Sequence, residues 1–94
     1  MGEREEMLEK EFVINDETGL HARPAAKFTK VANSFKSEIR VIKGDKTGNG
    51  KSLLSILALG IFGGTKFTVK IVGPDEVEAM YSITRLIERN FKED

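Results

Sequence analysis

Gly19, His21, Arg23 and Pro24 fall within one short stretch, and His21 is the only histidine of the chain. An imidazole is neutral and nucleophilic close to physiological pH. The glycine two residues earlier lets the chain turn sharply. From Ala22 onward the composition and apolar spacing predict a helix, so His21 stands at its mouth. There the first backbone N–H groups lack partners and the positive end of the dipole points outward, a setting that attracts anions. Arg23 adds a permanent cation whose planar fork suits phosphate. Pro24 falls in the first turn, where its missing N–H costs nothing. This combination is suited to accepting a phosphoryl group and passing it on. Attack requires a neutral ring, so the His21 pKa is expected below the ordinary histidine value, lowered by the helix start and Arg23. The competing reading is a binding module in which His21 is incidental, and failure to become phosphorylated would identify it.

Other constellations are weaker. With one histidine and no cysteine, no metal site can be completed from the usual soft ligands, and no metal is expected. No serine lies in a Gly-x-Ser-x-Gly context, which argues against a serine nucleophile. Gly48-Asn49-Gly50-Lys51-Ser52 nearly spells a phosphate-binding loop, but Asp45 stands where its first glycine is required. Ser52 reads as the N-cap of a short helix, and a phosphate ester there would be stable where a phosphoimidazole is labile. Leu53, Leu54, Ile56, Leu57, Leu59 and Phe62 exceed what one face of such a helix can bury, so some must meet solvent or a partner. Asp75, Glu76 and Glu78 are read as acids that complement a helix start.

The chain that must position these groups has 94 residues, enough for one small domain. Its 15 basic and 15 acidic residues cancel, and no basic stripe suggests nucleic acid. The absence of cysteine fits a reducing, cytoplasmic setting. The N-terminal stretch Met1–Glu11 is charged and lacks the apolar run of a signal peptide. The longest uncharged run, Ser52–Thr65, falls short of the ~18 residues that span a bilayer. Residues 1–8 read as a charged lead-in and 9–94 as a single domain.

Alternation of Phe12 and Ile14 with Glu11 and Val13 predicts a strand over Lys10–Asn15. Ala25, Phe28, Ala32 and Phe35 then share one face of a helix over Ala22–Asn33, with Lys27 and Lys30 on its other face. Strands follow at Ser37–Lys43 and Lys46–Asn49, joined by a turn at Gly44-Asp45. A helix over Leu53–Leu59 ends at Gly60, and Phe67, Val69 and Ile71 alternate in a strand over Lys66–Val72. Pro74 and the acids open a last helix with Ala79, Met80, Ile83, Leu86 and Ile87 on its apolar face. One-sided strands and amphipathic helices pack as two layers, which predicts an α+β fold with helices on one face of an antiparallel sheet.

Gly19-Leu20-His21-Ala22-Arg23-Pro24-Ala25 resembles the active-site signature of the HPr family, the histidine-containing phosphocarriers of the bacterial sugar phosphotransferase system. The stretch Lys51–Ile61 is similar to the family's regulatory-serine motif, and Gly73–Ala79 to the start of its last helix. The resemblance implies an open-faced sandwich, βαββαβα, of four antiparallel strands under three helices. It implies that His21 takes a phosphoryl group on Nδ1 from phosphorylated enzyme I and hands it to enzyme IIA domains. Arg23 and the backbone N–H groups of Ala22 and Arg23 would hold the phosphate. Ser52 would be the target of an HPr kinase/phosphorylase, and catabolite control protein A would bind the seryl-phosphorylated form. Ala22, Ala26, Lys30, Lys51, Leu53, Leu54, Leu57 and Phe62 match the family's docking surface. The resemblance implies a monomer with no cofactor, no membrane insertion and no direct contact with nucleic acid. The repressor-only relative Crh lacks the active histidine, so His21 argues against that assignment. Gly48 and Gly50 replace larger residues common in the family, and a looser loop before Ser52 is expected.

Overall fold

A computed structural model describes residues 7–14 and 22–92. Four strands and three helices alternate as the sequence implied: β1 (Leu8–Val13), α1 (Ala22–Asn33), β2 (Glu38–Lys43), β3 (Lys46–Asn49), α2 (Leu53–Leu59), β4 (Lys66–Val72) and α3 (Glu76–Glu88). The strands form one antiparallel sheet in the order β1-β4-β2-β3. The first strand begins two residues before the predicted Lys10, because Leu8 pairs with Ile71 and Glu9 with Lys70. Charged side chains hid that part of the strand, since pairing with β4 is not visible in its composition.

Register decides the two faces. Phe12 lies opposite Phe67, with the rings stacked at 5.8 Å. Ile39 pairs with Ile71 and Val41 with Val69. These side chains are all buried on one side of the sheet, as strand alternation requires. Ala25, Phe28 and Ala32 of α1, Ile56 and Leu59 of α2, and Ala79, Ile83 and Ile87 of α3 close the core over them. The other sheet face carries Glu38, Arg40, Thr47 and Lys66, with Glu38 and Arg40 in an exposed ion pair. α1 packs between α2 and α3, whereas α2 also rests on β3 and α3 on β4 and β1.

The last turns of the helices share a device that sequence periodicity did not show. A lysine distant in sequence donates to carbonyls at the end of each. Lys51 Nζ reaches Phe35 O at 2.7 Å after α1. Lys43 Nζ reaches Leu59 O at 3.2 Å and Gly60 O at 2.8 Å after α2. Lys27 Nζ reaches Phe91 O at 2.7 Å after α3. Helix C-termini leave carbonyls without intrahelical partners and carry partial negative charge, so cations are favoured there. Lys27 therefore does not belong to a freely solvated helix face, as its spacing suggested; it is half-buried and ties α1 to the end of α3. That end closes with Asn90 N on Ile87 O and Phe91 N on Leu86 O, both 2.9 Å. Asn90 has positive φ, and Phe91 is buried behind it. This is the Schellman pattern, with asparagine in the place more often held by glycine.

The acids before α3 correct a second expectation. Asp75 occupies the N-cap position without capping the helix. Its carboxylate instead accepts from Lys36 N, Ser37 N and Ser37 Oγ. Glu76 is buried and accepts from Gly73 N at 3.0 Å, three residues back in the turn before the helix. Pro74 precedes the helix, which starts at Glu76. The Asp75 carboxylate thus holds two chain segments together, whereas Glu76 and Glu78 lie in the first turn of α3, where the dipole favours them.

Candidate phosphoryl-carrier site

The first helix starts at Ala22, as expected. His21 and residues 15–20, where the sequence suggested a sharp turn, lie outside the described residues. Ala22 and Arg23 are exposed at the helix start, and Pro24 is buried within its first turn. The exposed start of α1 therefore stands next in sequence to the one histidine, and its first N–H groups have no partner within the helix. Ala26 and Lys30, one and two turns further on, are exposed as well.

The second helix resolves the leucine excess. Ile56 and Leu59 are buried, and Ile61 follows them inward. Leu54 is 79% exposed and Phe62 65%, with Leu53 and Leu57 also exposed. The positions 53, 54 and 57 share one helical face, so the outward residues form a set on one side of α2. Lys43 Nζ lies 5.9 Å from the centre of the Phe62 ring and supports it from beneath the helix end.

Ser52 is the N-cap of α2 as expected, its Oγ accepting from Ser55 N at 3.2 Å. The segment leading to it is tightly held, contrary to the looseness expected of Gly48 and Gly50. Gly50 N donates to Ile39 O at 2.7 Å, and a Cβ on Gly50 would fall 2.6 Å from Ile39 Cγ2. A Cβ on Gly48 would meet Leu59 at 3.1 Å. Both glycines are buried because the backbone passes against neighbouring atoms there. Asn49 adds Oδ1 to Lys51 N at 2.9 Å and its carbonyl to Ser52 N at 3.0 Å. Lys51 is half-buried with its ammonium on Phe35 O, so that residue faces α1 more than solvent.

These contacts separate the two sites. Lys51 abuts the end of α1 through Asn33 and Phe35, whereas Ala22 opens that helix about 17 Å away at the helical rise. Among the described residues, no group of three or more His, Cys, Asp or Glu side chains converges to hold a metal, and no helix is long and apolar enough to cross a membrane.

The family described as the PTS HPr component phosphorylation site matches residues 8–89. The chain belongs to the HPr family of phosphocarriers. It is 42% identical over 87 residues to the phosphocarrier protein HPr of Neisseria meningitidis, a match that covers 93% of this chain and 98% of that one. Among solved structures it is similar to HPr-C-His from Thermoanaerobacter tengcongensis, with a TM-score of 0.88, 41% identity, and 93% and 98% of the two chains covered. It is also similar to Crh of Bacillus subtilis, solved as a dimer with a swapped domain. There the TM-score is 0.71 and the identity 33%, with 87% of this chain and 94% of that chain covered. The open-faced arrangement of four strands and three helices is thus the HPr fold, as the sequence implied.

Proposed function

We propose that this HPr-family chain accepts a phosphoryl group on His21 from phosphorylated enzyme I and passes it to enzyme IIA domains. The observation that carries this reading is the exposed start of α1 at Ala22 and Arg23, directly after the single histidine. In the transfer, an imidazole nitrogen of His21 attacks phosphorus as the bond to the donor's nitrogen or oxygen breaks. The reverse step delivers the group to the next acceptor. Phosphoryl transfer asks mainly for positioning and charge stabilisation. The first N–H groups of α1 and the Arg23 guanidinium supply both, and their exposure keeps the group accessible for release. The chain thereby serves as a carrier between enzymes and not as a stand-alone enzyme.

The outward set Leu53, Leu54, Leu57 and Phe62, with Ala22, Ala26 and Lys30, forms the docking surface in this reading, and half-buried Lys51 borders it. Apolar groups exposed together on one side of a small protein are a common mark of a protein interface. Ser52 is the regulatory residue, phosphorylated by HPr kinase/phosphorylase and then recognised by catabolite control protein A. Because Ser52 caps α2, directly before its exposed leucines, its phosphate acts on docking. The carrier works as a monomer in the cytoplasm.

Incubation with enzyme I and phosphoenolpyruvate tests the reading. A gain of one phosphate by intact mass, lost in mild acid and absent in His21→Ala, is expected. Failure with the cognate, active enzyme I would overturn it.

A further inference from the structure

We propose that Lys51 and Asn33 are positioning residues that lock the end of α1 to the start of α2, and so set the docking surface that spans both helices. The inference rests on the docking role given above to those helices. The apolar contacts of Ile56 and Leu59 hold α2 down, but apolar burial is non-directional and fixes neither slide nor rotation. Direction comes from a reciprocal pair of hydrogen bonds. Lys51 Nζ donates to Phe35 O at 2.7 Å, and Asn33 Nδ2 donates to Lys51 O at 3.0 Å. Asn33 Nδ2 is itself oriented by Thr29 O at 2.9 Å, one turn back in α1. On the other side, Asn49 Oδ1 holds Lys51 N, and Gly50 N is fixed to Ile39 O of the sheet.

Lys51 is therefore bound through its side chain, its carbonyl and its amide, and α2 begins two residues later. A two-turn helix started from a fixed point has its exposed leucines fixed as well. The brace is thus placed to set Leu53, Leu54 and Leu57 relative to Ala26 and Lys30 on α1. This role differs from direct contact with a partner, because it must already be visible in the free protein.

The test compares Lys51→Met, Lys51→Arg, Asn33→Asp and the double variant Asn33→Asp/Lys51→Met with the unchanged chain. Two readouts serve: NMR of the free protein, and phosphorylation by enzyme I with phosphoenolpyruvate at varied carrier concentration. Expected are displaced Leu53 and Leu57 methyl resonances and faster amide exchange over Gly50–Ser55 in both Lys51→Met and Asn33→Asp. KM should rise about tenfold in Lys51→Met, the loss of a hydrogen bond from a charged donor, and about fivefold in Asn33→Asp, whose lost bond is neutral, with kcat retained, and the double variant should be little worse than Lys51→Met. Lys51→Arg should restore most of the affinity. A raised KM in Lys51→Met alone, with unmoved leucine methyls in the free protein, would mean that Lys51 touches the partner directly and would overturn the brace. Unchanged KM in both variants would overturn it too. Should the unchanged chain take no phosphate, the carrier reading fails, and the NMR comparison still decides whether the brace exists.

Discussion

The Ser37 hydroxyl donates to Asp75 Oδ1 at 2.5 Å and accepts from Asp75 N at 3.2 Å, joining residues 38 positions apart. The same carboxylate takes Ser37 N and Lys36 N, each at 2.9 Å. Ser37 is almost wholly buried. The closed loop of bonds pins the passage from α1 into β2 against the turn from β4 into α3, and both helices are thereby fixed at that end of the sheet.

A pH dependence follows. Donation from the Ser37 hydroxyl first, and from Lys36 N next, holds the Asp75 carboxyl down at about 2. Its pKa in the unfolded chain is ordinary, near ~3.9. A carboxyl lowered on folding stabilises the fold above the unfolded value, and the contribution is lost as pH falls through about 2. Asp75→Asn should lower the melting temperature clearly at pH 7, and the gap to the unchanged chain should narrow towards pH 2. A gap constant over that range would mean that packing, not the charge, accounts for the loss.

Gly73 sits beside this loop with φ of 152°. A Cβ there would fall 2.5 Å from Ser37 Oγ and 2.6 Å from Ser37 Cα. Backbone cannot yield as a side chain can, and the φ value disfavours an L side chain independently. Gly73→Ala should cost about 2 kcal/mol or more, measurable by urea unfolding. Near-neutral substitution would show that the turn can rearrange freely.

Lys43 is expected to stabilise α2 from its far end. Removing its ammonium strips Leu59 O and Gly60 O of their lysine donor and takes away the cation over Phe62. Lys43→Met should destabilise by about 1–2 kcal/mol. Hydrogen exchange should locate the loosening at the end of α2, and protection unchanged there would contradict the assignment.

Leu54 and Phe62 contribute little to the core, at 79% and 65% exposure. Leu54→Glu and Phe62→Ser should leave stability within about 0.5 kcal/mol. Under the docking role proposed for them, KM for enzyme I should rise at least tenfold. If the two variants docked as well as the unchanged chain, the partner surface would have to lie elsewhere.

Local pattern alone placed α1, β2, β3, α2 and β4 at or within one residue of their final bounds: a period of two marks Phe67, Val69 and Ile71 as one strand face, and a period near 3.6 marks Ala25, Phe28 and Ala32 as one helix face. The cap at Ser52 and the surplus of leucines were legible for the same reason, since each depends on residues a few positions apart. What the tertiary structure decided involves partners distant in sequence. The strand state of Leu8 and Glu9 depends on Ile71 and Lys70. Asp75 turns to Ser37 instead of its own helix, and Lys27, Lys43 and Lys51 each leave solvent for a carbonyl 16 or more positions away. The glycines at 48 and 50 suggested looseness, yet the backbone passes close against its neighbours at both. Spacing along a chain fixes what lies on one face of one element; which faces meet depends on how all of them share a single core.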